Sequence, residues 1–314
     1  MANAFGNSTS SMHSNPMGSQ LEILSVVLLE KHKHLVNQIR HRAHELGIEL
    51  GWHYDLDLAW IASQIEDPTG MRILDAGGGT GALQWWLADH GAEIVSVDRL
   101  DRSDLSGRYR LSYRVDGLRP GDLDPAWRVV WRRLRQPYKS VGYRLGGALR
   151  AGLTGIFGPF VPKAAGRVIL YRHSLETMPE LEDESFDAVV SVSALEHNDP
   201  SVLPLVVDEL MRLLRPGGML LATLAAARDQ DWYHEPSKGW CLTEATLLSA
   251  FGMPPDATTN FSEYDSLFAG IRECDVLRER LAPVFFESGE SGMPWGIWDP
   301  QYQPVGVRKR KPDA

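Results

Sequence analysis

From residue 67 onward the chain alternates short apolar runs with stretches of helical period. Ile73 and Leu74 begin a run that reads as a buried strand with Asp75 at its end, followed by glycines at 77, 78, 79 and 81 and a helical pattern over 82–88. A helix over 83–90 stops at Gly91, and residues 94–97 form a second strand closed by Asp98. Residues 167–171 supply a third strand, and 186–192 a fourth whose nearly continuous apolar run suits a parallel sheet buried on both faces. A helix over 200–215 leads through Pro216, Gly217 and Gly218 into a fifth strand, 219–224. Such alternation predicts the α/β class, with a doubly wound, mainly parallel sheet whose ligands bind beyond the carboxyl ends of the strands. Further on, 243–251 reads as a helix, 283–286 as a strand, and 302–308 as a last strand running into a frayed basic end at 309–312. These two strands are expected to close the sheet as an antiparallel pair.

Ahead of this body, Leu21, Leu24, Val27, Leu28, Leu35 and Ile39 recur at helical spacing, which predicts one long amphipathic helix over 21–45 stopped by Gly47. Its His32, His34, His41 and His44 have no accompanying carboxylate or cysteine cluster, so they read as a solvated face rather than a metal site. A second helix is expected over 51–65, capped near Asp55 and halted at Asp67 and Pro68. Trp52, His53 and Tyr54 stand at its start, where they can either cover a ligand at the glycine turn or pack between helix and core. Residues 21–66 thus read as a helical lid on a domain running over 67–314. Residues 1–20, rich in Ser, Asn, Gly and Met, read as a disordered tail with no basic start or long apolar centre of a secretory signal.

The pattern breaks between 100 and 166, where one helix would suffice. This insertion between the second and third strands is dense in arginine and aromatic residues. Trp127, Val130, Trp131 and Leu134 keep helical spacing beside Arg128, Arg132, Arg133 and Arg135, and Pro137 ends the segment. The apolar, glycine-rich stretch 145–161 that follows reads as a loop, too short and interrupted to span a bilayer. A basic amphipathic helix of this kind can lie on an anionic membrane, hold an acidic substrate, or pair with the acidic body as a lid.

Composition narrows the classes. With 314 residues, 43% apolar and 23% charged, the chain can bury a sizeable core. Its net charge of -9 argues against general nucleic-acid binding, and no nucleic-acid module is legible in the insertion. Cys241 and Cys274 are too few and too far apart for a disulfide framework or a zinc site, which suits a reducing cytoplasm, including a place at the inner face of the membrane.

Chemistry is concentrated at the glycine turn. Glycines let the turn adopt dihedrals closed to other residues and let a ligand approach the backbone. Gly77, Gly79 and Ala82, with Asp98 roughly 20 residues on, satisfy a dinucleotide fingerprint, so NAD(P) and other nucleotide-like cofactors remain open at this point. Asp98, at a strand tip, can accept hydrogen bonds from the vicinal hydroxyls of a ribose.

Four motifs in order resemble the class I S-adenosylmethionine-dependent methyltransferases: Asp75-Ala-Gly-Gly-Gly-Thr-Gly81, Asp98, the run from Phe186-Asp187 through Leu195-Glu196-His197, and Leu213-Leu-Arg-Pro-Gly-Gly218. A nicotinamide oxidoreductase has no reason to carry the last two. The resemblance implies that family's seven-stranded fold, with N-terminal helices and the insertion added. It also implies that S-adenosylmethionine is held by Gly77, Gly79 and Gly81, with Asp75 near its amino group and Asp98 on its ribose. Ser193 and Ala194 would flank the methionyl end. Where many members place an acid on the adenine amino group this chain has Ser174, so adenine contact would fall to Ser174 and the backbone of Leu175.

Glu196-His197 resembles the end of a metal-binding signature found in some members, but the earlier acid of that signature is Ser193 here, so no metal is expected. His197 can instead serve as a general base toward a hydroxyl, or pack at the pocket floor. His234, with Tyr233, is the other candidate, because 229–236 follows the fifth strand and topology places it near the pocket mouth. The reading is thus methyl transfer from S-adenosylmethionine to an acceptor oxygen on a small molecule, sugar or lipid-linked glycan. An NAD(P)-dependent oxidoreductase and a non-catalytic binding protein are the alternatives, and the sequence leaves the oligomeric state open.

Overall fold

In a computed structural model, residues 18–281, 293 and 295–313 are described. The central sheet holds β2 (Arg72–Ala76), β3 (Glu93–Asp98), β4 (Arg114–Gly117), β5 (Arg167–Arg172), β6 (Phe186–Val192) and β7 (Leu214–Ala226), all parallel to their neighbours in the order β7-β6-β2-β3-β5-β4. On the other side of β7 lies β11 (Gln303–Arg310), antiparallel, and beyond it β1 (Gln20–Ile23), antiparallel to β11. A short β10 (Thr258–Thr259) extends that edge, and the hairpin β8 (Trp232–His234) with β9 (Gly239–Leu242) joins β7 at its carboxyl end. This is the α/β, doubly wound and mainly parallel architecture that the alternation predicts.

One sheet face carries α1 (Val27–Lys31), α2 (Lys33–Leu46), α3 (Tyr54–Ser63) and α4 (Leu83–Asp89). Their side chains join Ile73, Ile94, Val168 and Val190 in one core. The other face carries α8 (Leu203–Leu213) and α9 (Glu244–Ala250) over Leu74, Val95, Val189 and Leu220. Successive strand residues thus serve opposite cores, as the two-residue strand period demands. Between β3 and β5 run α5 (Gly107–Ser112), α6 (Ala126–Leu134) and α7 (Val141–Phe157). Past β9 come α9, α10 (Tyr264–Arg272) and α11 (Asp275–Arg280).

Several sequence expectations are corrected. The 21–45 segment is not one helix. Leu21 and Ile23, both fully buried, alternate with Gln20 and Glu22 in β1, whose register pairs Leu21 with Val307. A period of two was hidden within a longer helical pattern. The rest divides at His32 into α1 and α2, and Gly47 (φ 66°) ends α2 as expected. Asp55 does not cap a helix: it is buried and accepts hydrogen bonds from Arg40 at 3.0 Å, with Arg280 at 3.4 Å. Both sides of α3 are buried, because the helix is sandwiched between α2 and the sheet.

The glycine-rich 145–161 stretch is helical over most of its length as α7, started by Ser140, whose side chain accepts from the Tyr143 N–H. The edge strand β4 was not foreseen, because Arg114–Gly117 has no apolar run to mark it. The end at 309–312 is not frayed: Lys309 and Arg310 pair with Leu220 and Met219, and the Lys311 ammonium donates to Leu214 O at 2.7 Å. β7 starts earlier than expected, at Leu214, with an irregular register across the Gly217 turn (φ 74°). Beside β7, the neighbour of β11 is β1 from the amino-terminal side; the strand expected over 283–286 and residues 1–17 of the tail expected over 1–20 lie outside the described residues, while Gln20, placed in that tail, opens β1.

Candidate functional site

A cleft of about 430 Å³ opens at the carboxyl ends of β2, β3 and β6. Its floor is the turn after β2. Gly77 has φ 75° and Gly79 φ 44°, and a Cβ on Gly77 would stand 2.4 Å from that of Ala194. A Cβ on Gly78 would meet the Asp75 carboxylate at 2.0 Å. Both positions therefore exclude a side chain, which leaves the backbone bare to a ligand.

Side chains from three elements brace this turn. Asp98 accepts the Gly79 N–H at 2.8 Å on one oxygen and the Leu100 N–H at 2.7 Å on the other. Arg102, buried, donates to Gly79 O at 3.1 Å, to Ser96 Oγ at 2.7 Å and to Ser96 O at 2.8 Å. Ser96 Oγ in turn donates to Asp75 at 3.3 Å. The Gln84 amide nitrogen reaches the carbonyls of Gly78, Gly79 and Gly81 at 3.2–3.4 Å. Burial pushes the Asp75 carboxyl up to about 7, against the opposing pull of Arg102 and Ser96. A buried carboxyl so poised suits a cationic ligand group.

The opposite wall is β6 and the turn after it. Ser193 holds a left-handed conformation (φ 47°), unusual for a non-glycine residue, and its N–H donates to Thr223 O at 3.0 Å. Its hydroxyl donates to Glu196 Oε1 at 2.5 Å. Burial raises the Glu196 pKa, with His197, Ser193 and His53 pulling the other way. Glu196 Oε2 is buried and has no partner among the described residues.

Of the cofactor residues expected from sequence, the cleft is lined by Asp75, Gly77, Gly79, Gly81, Asp98, Leu175, Ser193 and Ala194. Ser174 is not among the lining residues: its hydroxyl turns to Glu176 at 2.5 Å and accepts from Arg99, while His173 and Leu175 face the cleft. Ile48, Leu50, Tyr54 and Leu58 close the cleft from the amino-terminal helices. Arg102 and Gln84 escaped sequence reasoning: the arginine sits at the start of an insertion whose many arginines hide it, and the glutamine lies inside a helix pattern.

A second cavity of about 380 Å³ adjoins the cleft and shares Tyr54, Ser193 and His197 with it. Trp52, His53 and Tyr302 form its aromatic wall, with Glu196 and residues 236–238 opposite. His53 Nδ1 lies 2.6 Å from Asp57 Oδ2. Burial alone would lower the His53 pKa, but the Asp57 carboxylate and then Glu196 outweigh it and hold the pKa above the ordinary histidine value. The His53–Asp57 spacing of one helical turn was visible in sequence, yet the pair stands out only once the helix is buried. Tyr54 is pushed up by burial and by Asp57, and its hydroxyl is bonded to Ser193.

The two histidines proposed as bases part company. His197 is exposed and lines both cavities; its Nδ1 lies 2.9 Å from Lys238 O, a pure acceptor, so Nδ1 carries the proton. His234 and Tyr233 line neither cavity. The β8–β9 hairpin tucks His234 against Ser237 (2.7 Å) and the Tyr302 ring, where burial lowers its pKa. The hairpin also leaves Tyr233 half in solvent against Trp240. Among the described residues no group of three or more His, Cys, Asp or Glu could hold a metal ion.

Residues 160–222 match a family described as a methyltransferase domain. A tRNA U34 carboxymethyltransferase from Idiomarina loihiensis is 25% identical over 213 residues, 65% of this chain and 50% of that protein. The chain therefore spans about half the length of the curated relative it matches. Among solved structures, a Haemonchus contortus phosphoethanolamine N-methyltransferase 2, in complex with phosphomonomethylethanolamine and S-adenosylhomocysteine, is 15% identical with a TM-score of 0.41, covering 91% of this chain and 59% of its own. A Burkholderia thailandensis 1,6-didemethyltoxoflavin-N1-methyltransferase is 13% identical with a TM-score of 0.40 over 90% of each chain. Likenesses this loose bear on neither acceptor nor mechanism.

Proposed function

We propose that the chain, part of which matches a methyltransferase domain, is a class I S-adenosylmethionine-dependent enzyme that transfers a methyl group from S-adenosylmethionine in the glycine-floored cleft to a hydroxyl of a small-molecule, sugar or lipid-linked acceptor in the adjoining cavity. One observation carries this reading: two cavities of ligand size meet at Tyr54, Ser193 and His197, and only one of them has a floor from which side chains are excluded.

The cofactor's residues fit. Bare backbone at Gly77 to Gly79 admits the close approach of a nucleoside, Asp98 stands at a strand tip for the ribose hydroxyls, and buried Asp75 complements an ammonium. When bound, the sulfonium supplies an electrophilic methyl. The chain's part is alignment for in-line displacement and removal of the acceptor proton. Two contacts support His197 for the second task. With Nδ1–H held on Lys238 O, the ring's free lone pair is on Nε2, and the side chain stands where the cavities join.

One feature favours a second reading. Glu196 Oε2, buried and unpartnered beside a cavity walled by Trp52, Tyr54 and Tyr302, suits an amine acceptor, whose ammonium form aromatic faces and a carboxylate both attract and which gives up that proton before its nitrogen takes the methyl. The relative's name refers to tRNA, but a chain of net charge -9 does not favour a nucleic-acid acceptor.

Release of S-adenosylhomocysteine across paired hydroxyl and amine acceptors distinguishes the readings. For a hydroxyl acceptor, His197→Asn is expected to lower kcat by about 10²–10⁴, while S-adenosylhomocysteine still binds. Full kcat in that variant would exclude His197 as base. A protein that reduces NAD(P) and ignores S-adenosylmethionine would overturn the proposal, as would one that binds the cofactor and methylates nothing in the panel.

A further inference from the structure

We propose that the α6–α7 hairpin is a docking surface for anionic phospholipid membranes. The proposal goes beyond the methyl-transfer reading and does not depend on it.

The hairpin leaves a long apolar stripe uncovered. Val141, Leu145, Leu149, Leu153 and Phe157 follow one another at intervals of four along α7 and are 45–64% exposed. On α6, Trp127 and Trp131 are 60% and 55% exposed. Single exposed apolar residues need no explanation, but a contiguous run of this length on one helix marks an interaction surface.

Charge identifies the occupant. Residues 126–160 contain Arg128, Arg132, Arg133, Arg135, Lys139, Arg144 and Arg150 and no aspartate or glutamate, in a chain whose net charge is -9. Arg128, Arg132 and Arg133 are committed to Asp124 and Asp104. Arg135, Lys139, Arg144 and Arg150 form no ion pair among the described residues. Arg135 stacks over the Trp131 ring, and Lys139 over Tyr143. Cations beside exposed aromatic and aliphatic side chains on a helix that lies flat suit a lipid headgroup layer, where the ring and the charge each find their own medium. No helix of the described residues is long and apolar enough to cross a membrane, so the contact is one of lying on the surface. A second copy seated hairpin to hairpin would bring two acid-free basic surfaces together, which repulsion opposes.

The hairpin reaches a cavity that adjoins the cleft. A smaller cavity shares Gly79 and Thr80 with the cleft and ends at Arg133 of α6, so a docked surface would lie beside the cleft mouth.

Co-sedimentation of the full chain with phosphatidylcholine vesicles, with and without phosphatidylglycerol, tests the proposal. Binding is expected to the anionic vesicles alone and to weaken with salt. Replacing Arg135→Ala and Lys139→Ala together should lower partitioning by about 30-fold, roughly fivefold per charge. Replacing Leu149→Gln together with Ile156→Gln, the latter 62% exposed on the same helix, keeps every charge and should abolish binding. Both variants alter exposed side chains, and an unchanged thermal midpoint shows that each is folded. Equal sedimentation with neutral and anionic vesicles, or none with either, overturns the proposal. So does a concentration-dependent dimer in sedimentation velocity that Leu149→Gln with Ile156→Gln abolishes.

Discussion

If Asp75 faces the ammonium of the cofactor as proposed, its carboxyl makes cofactor affinity a function of pH. Its ordinary value is 3.8, and burial beneath the glycine turn pushes it up to about 7 in the ligand-free protein. At pH 6 the group is therefore mostly protonated, and it must lose that proton to face an ammonium. Affinity for S-adenosylmethionine should then fall about tenfold for each pH unit below 7 and level off above about 8, with one proton released per ligand at low pH. The sign for stability is opposite to that of an ordinary paired carboxylate. Because the folded pKa is raised, the folded state binds more protons between about 4 and 7, so the group's contribution declines as pH rises through that window and stays lost above it. Three units at 1.36 kcal/mol each give an upper bound of about 4 kcal/mol at pH 8 for the free protein. Asp75→Asn should flatten both curves. It should unfold at higher denaturant than the wild type at pH 8, lose that advantage toward pH 4, and bind cofactor weakly at every pH. Equilibrium dialysis at pH 6, 7 and 8, with an indicator dye to count protons in weakly buffered solution, reads the first effect; urea unfolding reads the second. Parallel pH curves for the wild type and Asp75→Asn would refute the reasoning.

Two further perturbations follow from named contacts. Asp98→Ala removes the acceptor for the Gly79 and Leu100 N–H groups as well as the proposed ribose contact, and should weaken S-adenosylhomocysteine about 10- to 100-fold, the range expected for hydrogen bonds to a charged group; thermal-shift titration reads this, and unchanged affinity would remove the ribose assignment. Gly306→Ala would drive a Cβ to within 2.5 Å of the Trp60 ring, where α3 crosses β11. The overpacking should cost about 1–3 kcal/mol by urea unfolding, and a neutral effect would mean that α3 yields more readily than its burial suggests.

How far sequence carried the structure depended on whether a pattern was local. β6 could be read to the residue because 186–192 is apolar except at Asp187 and Ser191, and the turn after β2 because its glycines leave few alternatives. β1 was missed because its two-residue period occupies only four residues beside a stronger helical signal, and its partner lies near the other end of the chain. The same non-locality hid the second cavity: Trp52, Glu196 and Tyr302 converge only when α3, the turn after β6 and the approach to β11 are assembled. His234 looked as eligible as His197, since both follow strand ends. The hairpin register that turns His234 toward Ser237 was not written in its immediate neighbours. Arg102 drew no notice amid the insertion's arginines, although it is the one that braces the glycine turn through Gly79 and Ser96.

The central claim is that the cleft over Gly77 to Gly81 holds the methyl donor. Isothermal titration of the wild-type protein with S-adenosylhomocysteine, and separately with NADH, tests it most directly. One S-adenosylhomocysteine should bind per chain, and NADH should give no heat. A saturable NADH isotherm with none for S-adenosylhomocysteine would contradict the account.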